Sequence, residues 1–241
     1  MKLQLLYSHV RKALDDYSMI NEGDKIAVGI SGGKDSLTLL YALAGLRRFY
    51  PKHFEIVAIT VDLGYDETDF TEIVALCKEL NVEYKRIETQ IKDILFKDGE
   101  ENISCSLCAR LRKGALNEYA VQLGYNKVAY AHHMDDVIET TMMSQIFEGH
   151  YYCFPPVTYL DKMDITVIRP LIYVTEAEVK GFKNKYNLPI VENPCPKDGH
   201  TKRAYVKNLI AQIQKENPKA KRCLFKALLS STVEGWNTEL L

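Results

Sequence analysis

One short loop holds residues whose types and spacing suit phosphate binding. It reads Ser31-Gly-Gly-Lys-Asp-Ser36 and lies between an apolar, β-branched stretch ending at Ile30 and a leucine-rich stretch beginning at Leu37. These flanks predict a buried strand followed by a helix. A loop that enters a helix presents backbone N–H groups and the positive end of the helix dipole to an anion. Lys34 adds a mobile positive charge, and the two glycines let phosphate oxygens approach the backbone closely.

The loop does not match the Walker A pattern. Only three residues separate Gly29 from Gly33, and Asp35 follows Lys34 where that pattern requires Ser or Thr. An ordinary glycine turn between a strand and a helix is the alternative. Such a turn would seldom also carry Lys, Asp and two Ser in this context, so we favour a phosphate site of another kind.

Two cysteines on one predicted helix face form the second strong signal. In Cys105-Ser-Leu-Cys108 the thiols are three residues apart, so they could bind a metal or cluster iron, or form a redox disulfide. Cys195 lies between two prolines that keep it rigid, and we expect it to be the third partner. Three cysteines would leave one iron of a [4Fe–4S] cluster free to take up sulfide. Zinc usually needs a fourth ligand, for which His200 lies nearby, so spacing alone leaves cluster, zinc and disulfide open.

Further polar side chains follow two other predicted strands. His133 and Asp136 lie at a strand-to-helix junction, where they could orient a substrate or magnesium, or where Asp135 or Asp136 could only cap the helix. Asp62 ends another strand, at a position suited either to nucleotide binding or to a turn. The carboxyl ends of parallel strands meet at one edge of a sheet, so these groups and the loop predict one shared site.

Alternating strand-like and helix-like segments must position these residues. Strands are predicted at 26–30, 56–61, 82–87 and 127–131, and helices at 36–49, 69–80, 106–123 and 135–147. This order predicts a doubly wound α/β fold, a parallel sheet covered on both faces by helices.

The predicted organisation has three parts. Residues 1–20 form an amphipathic helix packed on the body, and residues 21–150 form the nucleotide-binding α/β domain. Residues 151–241 form a C-terminal helical extension that completes the site rather than an independent domain. Its predicted elements are a short strand at 165–168 and helices at 175–186, 203–215 and 220–229.

Composition narrows the kinds of partner and the cellular compartment that we expect for the protein. A formal net charge of −1 over 241 residues predicts no strong nonspecific attraction to nucleic acid, so any RNA site must be a local patch. With no visible signal peptide and no apolar run of membrane-spanning length, we expect a cytoplasmic protein that does not contact a membrane. Six cysteines in that compartment favour metal or redox use over a disulfide framework.

Together these segments resemble the PP-loop ATP-pyrophosphatase family (adenine nucleotide alpha hydrolase-like fold), and within it the tRNA 2-thiocytidine synthetase branch. Beside the loop, the resemblance rests on Cys105-Ser-Leu-Cys-Ala-Arg-Leu-Arg-Lys-Gly114, on His132-His-Met-Asp-Asp136 with Glu139-Thr140, on Pro155-Pro156 with Val167-Ile-Arg-Pro-Leu171, and on Cys195 with Lys202 and Arg203.

The resemblance implies that ATP is cleaved between its α and β phosphates. The nucleotide-binding residues would be Ile30, Ser31, Gly32, Gly33, Lys34, Asp35, Ser36 and Asp62, with Lys34, Asp35, His133 and Asp136 as catalytic residues. Mg²⁺ would bridge the phosphates. The C2 oxygen of a pyrimidine, expected to be a cytidine in a tRNA anticodon loop, would attack the α-phosphate. Sulfur held on a [4Fe–4S] cluster of Cys105, Cys108 and Cys195 would then displace AMP.

The resemblance also implies partners. These are tRNA, a sulfur donor such as a cysteine desulfurase or sulfide, and a second copy of the chain in a homodimer. For RNA, the expected surface comprises Arg110, Arg112, Lys113, Lys202, Arg203 and Lys207, with Tyr151, Tyr152 and Phe154 stacking on unpaired bases. The alternatives are a sulfurtransferase that acts on another nucleotide or a small molecule, and a non-catalytic nucleotide-binding metalloprotein.

Overall fold

A computed structural model of the chain describes residues 1–65, 68–96, 105–191 and 202–236. Within them one sheet contains the strands β1 (Asp24–Gly29), β2 (Phe54–Asp62), β3 (Glu83–Glu88), β4 (Lys127–Ala129), β5 (Val157–Leu160) and β6 (Ile165–Ile168). The helices are α1 (Leu3–Asp16), α2 (Lys34–Leu46), α3 (Thr71–Glu79), α4 (Ile91–Phe96), α5 (Cys105–Gln122), α6 (Met134–Glu148), α7 (Glu176–Tyr186), α8 (Lys202–Glu216) and α9 (Ala220–Leu229). Every predicted strand and helix is present, and its ends lie within about four residues of those predicted, the largest difference being the end of the N-terminal helix at Asp16 rather than residue 20.

The order of the strands explains where a ligand can bind. The sheet runs β3-β2-β1-β4-β6-β5, so the chain moves outward from β1 to β3 and then returns to β4 on the other side of β1. At such a switch point the connections leave two neighbouring strands in opposite directions, and a crevice opens beyond their carboxyl ends. The loops that follow β1 and β4 therefore border one crevice.

The doubly wound α/β prediction is confirmed, with one exception at the sheet edge. β5 pairs with β6 in the antiparallel sense, whereas the other neighbouring strands pair in parallel. A 3₁₀ turn at Asp161–Met163 and the left-handed residue Asp164 reverse the chain at once, and so short a connection can only join antiparallel strands. The sequence analysis predicted neither β5 nor the short helix α4.

Helices cover both faces of the sheet. Ile26 and Val28 of β1 face the larger core, which is shared with α1, α2, α3 and α6 to α9. Ala27 faces the smaller core under α4 and α5. Strands buried on both faces consist of nearly continuous apolar residues, which accounts for the apolar run that ends at Ile30.

The two ends of the chain pack against this body. Helix α1 buries Leu6, Val10 and Leu14, as its amphipathic pattern predicts. The segment after Gly149 adds β5 and β6 to the same sheet, while α7 packs on α2, and α8 and α9 pack on α6. In the described part of the chain, none of the helices combines the length and apolar character needed to cross a bilayer.

Candidate active site

The Ser31–Ser36 loop is held in shape by its own hydroxyl groups. The Ser31 N–H donates to Ser36 Oγ (3.2 Å), and the Ser36 hydroxyl donates to the Gly33 carbonyl oxygen (2.9 Å). Gly33 is the N-cap of α2, and no side chain caps that helix. The N–H groups of its first turn are therefore available to an anion.

Position 32 requires glycine because of its backbone conformation and its close contact with Val191. Its φ is +82°, and a Cβ at this position would lie 2.9 Å from the Cβ of Val191. The Val191 N–H in turn donates to the Gly32 carbonyl oxygen (3.1 Å). The C-terminal part of the chain thus lies directly on the phosphate loop.

Four predicted residues from the two loops meet at the crevice. Lys34 Nζ donates to Asp35 Oδ2 (2.9 Å), and Asp35 Oδ1 lies 3.5 Å from His133 Nε2. His133 is the N-cap of α6: its Nδ1 accepts from the Asp136 N–H (3.3 Å), and Asp136 Oδ2 accepts from the His133 N–H (2.9 Å). Because Nδ1 is an acceptor, this hydrogen-bond pattern assigns the proton of the neutral ring to Nε2, which faces Asp35. Asp136 thus caps the helix, as the alternative interpretation proposed, while His133 faces the phosphate loop.

A carboxylate that the sequence analysis missed lies beside Lys34. Glu176 Oε1 is 3.7 Å from Lys34 Nζ, and the ammonium groups of Lys180 and Lys207 lie 3.2 Å and 2.8 Å from its carboxylate. Burial alone would raise the pKa of Glu176, but Lys207 and Lys180 lower it to about 2. The only sequence signal was the capping box of Thr175 and Glu178, which makes Glu176 the first residue of α7.

Ion pairs fasten the C-terminal helices to the site. Arg203 lies 3.2 Å from Asp136 and 3.3 Å from Glu139, and Lys221 lies 2.6 Å from Asp135. Asp135 also accepts the backbone N–H of Glu176 (2.7 Å). Arg203 and Lys207, both predicted to contact RNA, therefore form ion pairs with carboxylates of the protein instead.

The Asp62 carboxylate also pairs with groups of the protein itself. Its Oδ2 accepts from the Arg86 guanidinium, and its Oδ1 accepts from the Gly64 N–H (3.0 Å). The carboxylate thus shapes a turn, and its contact with a nucleotide stays a prediction. A cavity of about 240 Å³ runs from Thr60–Asp62 to Ser31 and Gly33 of the loop.

A second cavity, of about 300 Å³, lies between the phosphate loop and α5. Ile30 and Ser31 line one side, and Ala109, Arg112 and Lys113 line another. No carboxylate side chain is among the described residues that line it. Burial, together with Arg169 and Arg203, lowers the pKa of Lys113.

Aromatic and basic groups close this second cavity. Tyr130 and His132 also line it, and burial, followed by Arg169 and Lys113, holds the pKa of His132 well below its usual range. The buried Nδ1 of His132 has no hydrogen-bond partner among the described residues. The Phe154 ring packs on His132 (4.7 Å between centroids) and under the Arg169 guanidinium (5.1 Å). Phe154 is thus part of the wall, whereas Tyr151 and Tyr152 are exposed.

The cysteine prediction is only partly within the described residues. Helix α5 begins at Cys105, and the half-buried Cys108 packs at the edge of the smaller core. The side chain of Cys105 and the whole of Cys195 fall outside the described residues. Inside them, no three His, Cys, Asp or Glu side chains are grouped to hold a metal. Cysteine thiolates are the ligands that iron–sulfur clusters take, so these residues fit such a cluster. Arg112 and Lys113, on the next turn of α5, add positive charge that stabilises thiolates.

Comparison with known proteins identifies the family. The sequence matches the PP-loop domain family over residues 6–214. The chain belongs to the PP-loop family. A tRNA-cytidine(32) 2-sulfurtransferase of Geobacter sulfurreducens is 40% identical over 222 residues, which are 91% of this chain and 86% of the relative. One of Citrifermentans bemidjiense is 40% identical over 224 residues, 92% of this chain and 88% of the relative. The predicted resemblance to the PP-loop family and its 2-thiocytidine branch is confirmed.

Two solved structures are similar to this chain in fold. The U34-tRNA thiolase NcsA from Methanococcus maripaludis, solved with its [4Fe-4S] cluster, superposes with a TM-score of 0.72 at 27% identity. The match covers 93% of this chain and 76% of NcsA. An NAD+ synthetase from Burkholderia pseudomallei, at a TM-score of 0.50 and 15% identity, covers 94% of this chain and 92% of its own and shares the fold.

Proposed function

We propose that this PP-loop protein is an ATP-dependent tRNA sulfurtransferase that replaces the C2 oxygen of a cytidine with sulfur. Support for the reaction and substrate comes from the relatives named tRNA-cytidine(32) 2-sulfurtransferase, which match more than 90% of the chain. Support for a cluster comes from NcsA, a tRNA thiolase that carries one.

One structural observation carries the proposal. The cavity of about 300 Å³ has the phosphate loop, at Ser31, on one side and the helix turn after Cys108, at Ala109 and Arg112, on another. Adenylation needs a nucleotide at the first wall, and sulfur transfer needs a sulfur source near the second. A base held between them can undergo both steps without leaving the site.

The loop residues perform the first step. ATP binds with its phosphates on the N–H groups of 32–36, and Lys34 pairs with them in place of Glu176. The C2 oxygen of the cytidine attacks the α-phosphate, because an amide-like oxygen leaves poorly and AMP leaves well. Asp35, whose Oδ1 lies 3.5 Å from His133 Nε2, and Asp136 would hold the Mg²⁺ that would neutralise the departing pyrophosphate.

The second cavity serves the sulfur transfer. Cys105, Cys108 and Cys195 would hold a [4Fe–4S] cluster, which would carry a sulfide, and attack of that sulfide on C2 would release AMP together with the former C2 oxygen. Arg112 and Lys113 stabilise the negative charge that builds up in the cavity, and the apolar side chains of Ile30 and Leu116 exclude water from it. Free sulfide supplies the sulfur directly, whereas a cysteine desulfurase supplies it as a persulfide that two electrons from a thiol reductant convert to sulfide. The reaction takes place in the cytoplasm.

Nucleoside analysis of tRNA tests the function directly. In a strain that lacks the gene we expect 2-thiocytidine to disappear, and to return with the wild-type protein or with Lys25→Ala but not with Lys34→Ala. Lys25 is a matched control, because it is exposed and lies near only Glu55 (3.9 Å). Unchanged 2-thiocytidine in the deletion strain would refute the tRNA assignment.

The purified, cluster-loaded protein separates the alternatives. With tRNA and ATP we expect AMP and pyrophosphate to form, and Asp35→Ala or Lys34→Ala to stop their release. Turnover of ATP that needs a small molecule instead of tRNA would support the small-molecule sulfurtransferase. Nucleotide binding with no turnover under any of these conditions would support the non-catalytic metalloprotein.

A further inference from the structure

The two C-terminal helices concentrate positive charge that the chain as a whole does not have. Residues 202–229 contain eight Lys or Arg residues and one acid, Glu216, whereas the whole chain has a formal net charge of −1. Three of the eight, Arg203, Lys207 and Lys221, pair with carboxylates of α6 and α7. These three pairs fix α8 and α9 relative to the phosphate loop.

The other five cations point to solvent. Lys202, Lys215, Lys219, Arg222 and Lys226 are exposed, and none of them forms an ion pair with another described residue. We call this set the basic face. Lys219, Arg222 and Lys226 follow at spacings of three and four residues and so share one side of α9.

Helix stability explains only part of this arrangement. Neither α8 nor α9 has an acidic residue in its first turn, and both have Lys or Arg there. Cations near the positive end of a helix dipole are unfavourable by a few tenths of a kcal/mol or more. Lys202, Lys219 and Arg222 are therefore unfavourably placed unless an anionic partner approaches them, whereas Lys215 and Lys226 lie in last turns, where cations are favourable.

Exposed aromatic rings border the basic face on the side of the active site. Phe147 and Tyr205 are 40% and 58% exposed, their rings pack edge to face (5.9 Å between centroids), and Lys202 Nζ lies 5.2 Å from the Phe147 ring. The Arg203 guanidinium donates to Thr140 at the active-site end of α6, and Phe147 lies two turns, about 10 Å, further along that helix. The rings are therefore about two helical turns from the site. Aromatic rings beside unpaired cations fit an RNA, since bases stack on the rings and phosphates pair with the cations.

We propose that the basic face binds the phosphate backbone of tRNA beyond the target nucleotide, while Phe147 and Tyr205 stack on unpaired bases. The proposal rests on the proposed function, because it takes tRNA as the substrate. Helix α8, with 15 residues, is about 22 Å long, so Lys202 and Lys215 near its two ends can contact different phosphates. The basic face therefore contributes affinity for tRNA and no chemistry.

The test is a variant with four changes, Lys215→Gln, Lys219→Gln, Arg222→Gln and Lys226→Gln. In the cluster-loaded protein we expect the KM for tRNA to rise at least tenfold, while kcat at saturating tRNA and the KM for ATP stay within twofold of wild type. The slope of log Kd against log salt should fall by about 3 to 4 for four lost phosphate contacts. The control variant removes the same charge elsewhere, by Lys2→Gln, Lys25→Gln, Lys162→Gln and Lys185→Gln, and should behave as wild type.

Three results would overturn the proposal. One is wild-type affinity and salt dependence in the four-change variant. Another is an equal loss in the control variant, which would show an effect of net charge only. The third is a four-change variant that binds tRNA normally but thiolates it more slowly when a cysteine desulfurase supplies the sulfur, and at the normal rate when sulfide does. That result would assign the basic face to a protein partner. Failure of the proposed function differs from all three, because the unaltered protein would then not thiolate tRNA.

Discussion

His133 Nε2 lies 3.5 Å from Asp35 Oδ1 and so connects the loop after β4 with the loop after β1. The other ring nitrogen of His133 accepts from the Asp136 N–H and caps α6. One imidazole therefore has two separable contacts: one nitrogen caps a helix, and the other faces a carboxylate of the predicted phosphate loop.

Substitution of His133 should separate these functions. His133→Ala removes the cap, so we expect it to lower the free energy of unfolding by about 1 kcal/mol. His133→Asn keeps a good capping side chain but is too short to contact Asp35, so it should retain stability while ATP turnover falls about as far as in the alanine variant. Urea unfolding and pyrophosphate release measure the two effects. Equal stability of both variants would contradict the capping function.

Substitution of Gly32 should impair nucleotide binding through local geometry. Gly32→Ala places a Cβ at φ +82° and 2.9 Å from the Val191 Cβ, so the loop must move, and we expect ATP affinity to fall at least tenfold. Gly149→Ala is the matched control, since its φ is +70° and no atom lies within 4 Å of the added Cβ. Both should lose about 1 to 2 kcal/mol from backbone strain. Calorimetric titration with ATP should detect a loss of affinity only in the Gly32 variant.

The Glu176 carboxylate predicts a dependence of stability on pH. Burial raises its pKa, but Lys207 and Lys180 lower it further, to about 2, compared with 4.5 for an ordinary glutamate. A lowered carboxylate pKa stabilises the folded state above the unfolded value, and this contribution is lost as the pH falls from about 4.5 towards 2. The difference in Tm between wild type and Glu176→Gln should therefore be largest near pH 7 and shrink on acidification. A difference that does not change with pH would exclude the ionised pairings.

The cysteines should differ in their effect on the cluster. We expect Cys108→Ser to lose iron and the broad visible absorbance of an iron–sulfur cluster after anaerobic purification, because it removes one of three ligands. Cys223→Ser, at an exposed position on α9, should retain both. Colourless wild-type protein with one zinc per chain would instead favour the zinc interpretation.

Much of the fold followed from local patterns. The apolar run ending at Ile30 predicted a strand buried on both faces, and β1 contributes to both cores. The capping box at Thr175 predicted the start of α7. β5 was not predicted, because its four residues alternate only weakly between buried and exposed and are held by pairing with β6. Glu176 and the partners of Arg203 were missed because no short-range pattern records an ion pair between distant residues.

The sequence by itself determined the phosphate loop and the paired cysteines of α5. In both cases residues near each other in the chain set the geometry, since a strand, a glycine loop and a helix N-terminus must follow each other, and Cys105 and Cys108 belong to one helix. Only the tertiary structure decided which groups face that loop and which cations are left without an ion pair among the described residues. His133 reaches Asp35 because β1 and β4 are neighbours in the sheet. Arg203 forms an ion pair with Asp136, 67 residues away in the chain, and Lys221 with Asp135, 86 residues away, because helix packing brings these residues together.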